Sequence, residues 1–377
     1  MSTAQHIQIA SVRVRLRCDF APLAEYARSH FEPLLAGGEP DGPIHVEAEL
    51  HWHEGHPPDD VGTAHPEVRS WERLDRDLYA GPDSLLWLRI DDARDLHLRL
   101  RWDGSQLAVR GDFYHRLSKD RRADRIRRLL YRGQMDAFRR KRFTRLLYYA
   151  VYYPALWFLE HVRDLHPIHA AAVHTPNGGI VLAGPSGVGK STLTAALGAS
   201  DGAFILSDTF IAHRGTEVWA VAEPLLLDRW SIQWLGDAAA ALVGLQHNYA
   251  LGRNGYAIPR ARFTERTDAV AVVLPRRTPE HFVRRIAPEA AQSRIEAYND
   301  IVNDLRRYRP LAAVMDLIAP SGLARGRVRA LEELTAVPCY EIGLTSSLSR
   351  PAIVETIRSM GHGNDEPRIA AHVGAPR

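Results

Sequence analysis

One segment limits the possible folds more than any other. Gly184-Pro185-Ser186-Gly187-Val188-Gly189-Lys190-Ser191 fits the spacing of a phosphate-binding loop, G-x-x-x-x-G-K-[ST]. Such a loop works only between a buried strand and a helix, because its glycines must turn the backbone tightly and aim successive N–H groups inward. The flanks suit this. Ile180–Ala183 reads as the buried strand, and Thr192–Leu197 as the opening of the helix. The helix N-terminus would add its positive dipole end to the site. Gly184, Ser186, Gly187, Val188, Gly189, Lys190, Ser191 and Thr192 are therefore candidate phosphate contacts. Lys190 is expected to reach the β- and γ-phosphates, and Ser191 to hold Mg²⁺.

The bulk numbers are those of an ordinary globular chain. The 377 residues allow two domains or one large one. A net charge of +3 says little about partners. Cys18 and Cys339 lie far apart with no metal-like spacing, which argues against a disulfide framework. The start, Met-Ser-Thr-Ala-Gln-His, lacks a basic segment before an apolar core, so a cytoplasmic location is expected. The longest apolar run, Leu146 to Leu159, contains Pro154 and is too short to span a bilayer. It reads as a buried helix, and no membrane association is expected.

Residues 1–115 read as a β-rich α+β domain. Ile7 and Ile9, then Val12, Val14 and Leu16, alternate with polar residues, with a slip between the sets. Val46, Ala48, Leu50 and Trp52 alternate with Glu47, Glu49, His51 and His53. Residues 54–82 read as a long loop or an excursion. Asp103-Gly104 between apolar runs predicts a hairpin with a type I′ turn. Residues 116–160 read as connecting helices, basic and then apolar. Across 119–145, twelve Lys and Arg face three Asp. Docking of an acidic peptide suits this segment better than nucleic acid, because aromatic interleaving is thin. His51, His53 and His56 lack a partner cluster and are not read as a metal site. Residues 161–360 read as the P-loop domain, with later strands at 269–274 and 337–342 and helices at 289–307 and 351–360. Residues 361–377 read as a flexible tail.

Three further residues belong with the loop. Asp208 ends an apolar strand after Phe204-Ile205-Leu206-Ser207. A P-loop enzyme needs an acid at such a strand end, for the Mg²⁺ shell or to take a proton from an acceptor hydroxyl. His169 precedes the first strand of the same unit, and Glu223 follows a short strand at 218–221. Taken singly, each of those two is more often structural.

Together these segments resemble a family. His169-Ala170-Ala171-Ala172-Val173, then Gly184–Thr192, then Leu206-Ser207-Asp208, then Glu223-Pro224-Leu225-Leu226-Leu227 look like the C-terminal kinase domain of HPr serine kinase/phosphorylase and its relatives. Val337-Pro338-Cys339-Tyr340 is similar to a strand near that domain's end, so the resemblance covers roughly residues 160–360. It implies an α/β P-loop kinase core akin to phosphoenolpyruvate carboxykinase, using ATP and Mg²⁺. Lys190 would bind the phosphates, Ser191 and Glu223 would hold the metal with Asp208 beside it, and Asp208 would activate the acceptor with His169 alongside. Arg253 or Arg260 would neutralise transition-state charge. Relatives from lasso-peptide and similar pathways phosphorylate a serine of a precursor peptide. The implied acceptor is therefore a serine of a peptide or protein. Alternatives are a small-molecule hydroxyl, or an ATP-binding regulatory module with weak turnover. The last arises because the family's second acid is replaced by Thr209 here. A homo-oligomer fits this reading as well as a monomer.

Overall fold

The structure is a computed structural model that describes residues 4–38, 42–249, 252–320, 323–345 and 348–360. The chain divides into two units. The first is Met1–Ser29, Leu35–His161 and Tyr308–Ser321; the second is His30–Leu34, Val162–Arg307 and Gly322–Arg377.

The first unit is built on one mixed sheet. The slip between the first two apolar sets is a hairpin of β1 (Gln5–Ile9) and β2 (Val12–Cys18), turning at Ala10, with φ +50°. After α1 (Ala21–His30), β3 (Val46–Glu54) runs parallel to β2. The expected loop at 54–82 instead holds α2 (Val61–Ala64), a 3₁₀ turn, β4 (Glu72–Asp75) and β5 (Leu78–Ala80). Its few apolar side chains, Val61, Val68, Trp71 and Tyr79, meet Leu86 and Leu88 in a small separate cluster. They are too sparse to show a period along the sequence. β6 (Ser84–Trp87), β7 (Leu96–Trp102) and β8 (Leu107–His115) complete the order β1-β2-β3-β8-β7-β6-β5-β4.

The β7–β8 hairpin forms as expected, but its turn is not type I′. The Asp103 carboxylate accepts the N–H groups of Ser105 (2.9 Å) and Gln106 (2.7 Å). This opens a four-residue loop in which Gly104 alone takes positive φ, whereas type I′ needs two such residues. α3 (Arg121–Leu130) and α4 (Met135–Leu147) follow. Pro154 has no N–H to give its helix, and the chain widens into a π-turn at Tyr148–Tyr152 before α5 (Tyr153–Arg163). This run is buried, with Trp157 and Phe158 packed against Trp102. No helix among the described residues is long and apolar enough to cross a membrane. Cys18 and Cys339 are buried, unbridged thiols.

The second unit is a mixed sheet with helices on both faces. It opens with β9 (His166–Ile168), β10 (Ala170–Thr175), β11 (Gly178–Ala183) and α6 (Lys190–Gly198). β12 (Phe204–Ser207), β13 (Phe210–Arg214), β14 (Glu217–Val221), β15 (Leu225–Leu227), α7 (Arg229–Leu235), β16 (Val243–Tyr249) and β17 (Arg253–Ala257) follow. Then come β18 (Arg266–Arg277), β19 (Phe282–Ile286), α8 (Pro288–Ile301), α9 (Asn303–Met315, counted with the first unit from Tyr308 onward), α10 (Leu323–Leu334), β20 (Cys339–Leu344) and α11 (Arg350–Ser359). The helix expected over 289–307 is thus two, separated at Val302, which takes extended angles and buries its side chain. Residues 361–377 lie outside the described residues.

β10 and β11 pair antiparallel, with Ala172 opposite Val181. β11, β18 and β20 run parallel, so their carboxyl ends share one edge. Side chains alternate across these strands. Ala172, Val181 and Val272 face Ile295 and Leu334 on one side, while Ala171, Ile180 and Val273 face Leu193, Leu197 and Ile357 on the other. β15, β17 and β16 form a separate small sheet. Crevices at the carboxyl ends of parallel strands are where α/β folds place ligands.

Candidate phosphate-binding site

The loop lies at that edge. It leaves β11 at Ala183 and enters α6 at Lys190. Gly187 and Gly189 take φ of +84° and +113°, angles that carry a strain penalty with any other side chain. Their conformation turns the loop back over the first turn of α6.

Lys190 is held inside this turn and is nearly fully buried. Its ammonium lies 2.9 Å from His169 Nε2 and donates to the carbonyls of Gly184 (2.7 Å) and Pro185 (3.2 Å). Burial, reinforced by the Lys190 charge, pushes the His169 imidazole down to about 3. His169 is thus neutral and accepts at Nε2. Its backbone N–H donates to Asn299 Oδ1 at 2.9 Å, which anchors the strand entry to α8. The histidine has a definite place: it positions the loop lysine.

Asp208 follows β12 and is 3 % exposed. Burial pushes its carboxyl above the ordinary value, although the Ser191 hydroxyl and the Lys190 and Arg253 charges pull the other way. Its Oδ1 is buried with no hydrogen-bond partner among the described residues. Buried carboxylate oxygens are ordinarily satisfied, so an unsatisfied one needs an explanation.

His169, Ser186, Gly187, Gly189, Lys190, Ser191, Thr192 and Asp208 all line one cavity of about 150 Å³. Gly184 contributes its carbonyl to Lys190, and Val188 lines the neighbouring cavity. Arg253, at the start of β17, reaches the phosphate loop, and a Cβ on Gly187 would lie 3.6 Å from its Nη2. Arg260 does not line the cavity, because it sits in a 3₁₀ turn beyond β17. Glu223 is buried but is not among the lining side chains either.

Sequence reasoning missed three contributors. Asp228 caps α7 by accepting the Ser231 N–H at 2.7 Å, and Ser231 Oγ meets Thr192 Oγ1 at 2.8 Å. This ties α7 to the first turn of α6. Arg277 ends β18 and faces the same cavity. The local signal for Asp228 was an N-cap pattern, Asp228-Arg229-Trp230-Ser231, directly after an apolar strand. Nothing local marked Arg277. The result is a concave site with three cations (Lys190, Arg253 and Arg277), a helix N-terminus and two carboxylates.

No family model matches this sequence, and no curated protein matches it.

Proposed function

We propose that this chain is an ATP- and Mg²⁺-dependent kinase of the HPr kinase-like type. It would transfer the γ-phosphoryl group to a serine hydroxyl of an acidic peptide or protein. The observation that carries this reading is Asp208, a buried carboxyl with an unpartnered oxygen in the same cavity as Lys190 and Ser191. A raised carboxyl pKa makes a better proton acceptor once the group is ionised.

The residues fit Mg²⁺. Ser191 and Asp208 supply hard oxygen donors, and Mg²⁺ typically takes one or two carboxylates together with substrate phosphates. Asp228, rather than Glu223, is the second carboxylate offered by the cavity lining. When bound, the ion neutralises charge on the transferring group. Lys190 binds phosphate oxygens, which compete for the protons it now gives to loop carbonyls. His169, being neutral, keeps the ammonium charged and pointed inward. Asp208 takes the acceptor proton, and Arg253 and Arg277 orient the phosphates and balance their charge.

A cleft in the first unit supports a peptide acceptor. About 490 Å³ of space is lined by Arg116, Arg127, Lys141 and Arg142 beside Tyr131 and Phe138. Leu129 and Leu130 on α3 are each more than 70 % exposed. Cations beside exposed apolar groups complement an acidic peptide with apolar side chains.

The test is mass spectrometry of serine-containing acidic peptides incubated with the protein, ATP and Mg²⁺. A gain of one phosphoryl group, lost in Lys190→Ala, is expected. ATP binding without transfer to any peptide would discard the peptide acceptor.

A further inference from the structure

A second cavity of about 400 Å³ adjoins the first and shares Gly189, Thr192, Asp228 and Arg277 with it. Its other walls differ in kind. Trp230 and Trp234 of α7 stand stacked, with centroids 6.1 Å apart and planes at 17°. Leu193, Leu344, Leu348 and Ile353 close the remainder. Trp234 is fixed by its Nε1, which donates to the Leu348 carbonyl at 3.1 Å. Trp230 is 49 % exposed, a large aromatic left half in water at the rim of an apolar hollow. The size lies within the roughly 300–1,000 Å³ of small-molecule sites.

We propose that this hollow is the base subsite of the nucleotide, and that it holds a purine by stacking on Trp230. The proposal rests on the reading of the first cavity as the phosphate site. The shared residues make the two spaces one continuous path from phosphate loop to aromatic wall. A nucleotide is a molecule with a charged end and a flat aromatic end, and the two cavities match those ends in order.

The polar side chains of the hollow say how the base is read. Thr278 Oγ1 donates to the Glu280 carbonyl, and Asp228 Oδ1 is engaged in capping α7. The indole N–H of Trp234 is engaged as well. These groups are committed within the protein, as is Thr192 Oγ1, which meets Ser231 Oγ, while Arg277 also faces the first cavity; the readout assigned to the base is therefore stacking. Stacking is tolerant of base identity because every base has a π-face. The subsite therefore accepts adenine and guanine alike.

The test compares ATP, GTP and inorganic tripolyphosphate, each with Mg²⁺, by calorimetric titration of the full chain. ATP and GTP are expected to bind within about threefold of one another, and tripolyphosphate at least about tenfold more weakly, the scale that one stacked base supports. Trp230→Ala should bring ATP down to the affinity of tripolyphosphate and leave tripolyphosphate unchanged. Trp230→Phe should retain most of the difference. Because Trp230 is half exposed, an unchanged melting temperature is expected and separates loss of stacking from loss of fold. If Trp230→Ala leaves the ratio of ATP to tripolyphosphate unaltered, the base lies elsewhere while the phosphate site stands. A strong preference of ATP over GTP overturns stacking as the sole readout. If neither ATP nor tripolyphosphate binds the wild type, the phosphate reading itself falls.

Discussion

Two buried acids of the second unit sit in opposite circumstances. Glu341, inside β20, is held by Arg276 (3.2 Å), Arg294 (3.0 Å) and Arg284. Burial alone would raise its carboxyl, but hydrogen bonds from Arg284 and Arg276 and the Arg294 charge outweigh that, and the net shift is downward. Asp208 is no more exposed and is enclosed more deeply, and its helpers only partly offset desolvation, so the net shift is upward. Partners and depth together thus leave one carboxylate locked in its charged form and one kept from full compensation. The first suits a structural clamp. The second suits a group that must change partners during a reaction.

The sharpest way to break this contrast is Asp208→Asn. Turnover should fall by about 10²–10⁴, the usual worth of a positioned general base. Melting temperature should hold or rise. A carboxyl whose folded value is raised costs stability as pH climbs above its unfolded value, and the amide removes that cost. A variant with full activity, or one that unfolds, would remove Asp208 from its proposed role.

Arg253 and Arg260 refine the cavity side. Arg253→Ala should lower turnover by about 10²-fold or more, on the scale of other charge-balancing arginines, with Arg260→Ala near wild type. Equal losses in the two variants would mean that the cavity lining is not what selects the arginine.

Glu341→Gln tests the clamp. It leaves three arginines without their shared carboxylate, though two of them are more than half exposed and solvent softens the penalty. About 2 kcal/mol of destabilisation is expected, a fall of roughly 4–8 °C in Tm, with phosphate affinity unchanged. Loss of nucleotide binding instead would merge the two regions functionally.

The last effect is a pH dependence, silent near neutrality and growing only in acid. Burial holds the folded His169 at about 3 against an ordinary 6.5. The unfolded chain therefore takes up this proton first. The stability contribution is complete above the unfolded value and is lost as pH falls from about 6.5 toward 3. His169→Gln should flatten thermal melting profiles across that window. An unaltered slope would place the acid sensitivity on other buried histidines, such as His30 and His97.

Much of the second unit was legible because its signals are local. The glycine spacing, the apolar run before it and the helix after it all lie within about twenty residues, and backbone sterics act at that range. The β10–β11 pairing is local in the same way, with only Pro176 and Asn177 between the strands. The short elements within 54–82 were not legible because their apolar residues serve a small separate cluster and carry no steady period. The Asp103-Gly104 turn was mistyped because the Asp103 side chain captured two backbone N–H groups and set a longer loop.

The sequence by itself determined that a glycine-rich loop with phosphate-binding spacing sits between a buried strand and a helix, with an acid at the end of a following strand. Only the tertiary structure decided that Asp208 keeps an unpartnered oxygen while Glu341 has none to spare. It also decided that Asp228, Arg277 and Arg253 reach the cavity and that Glu223 and Arg260 do not. The physical reason is range. A loop conformation depends on adjacent residues, whereas the neutralisation of a buried charge depends on partners that strand pairing brings in from afar, as Arg276 is brought to Glu341 across 65 positions.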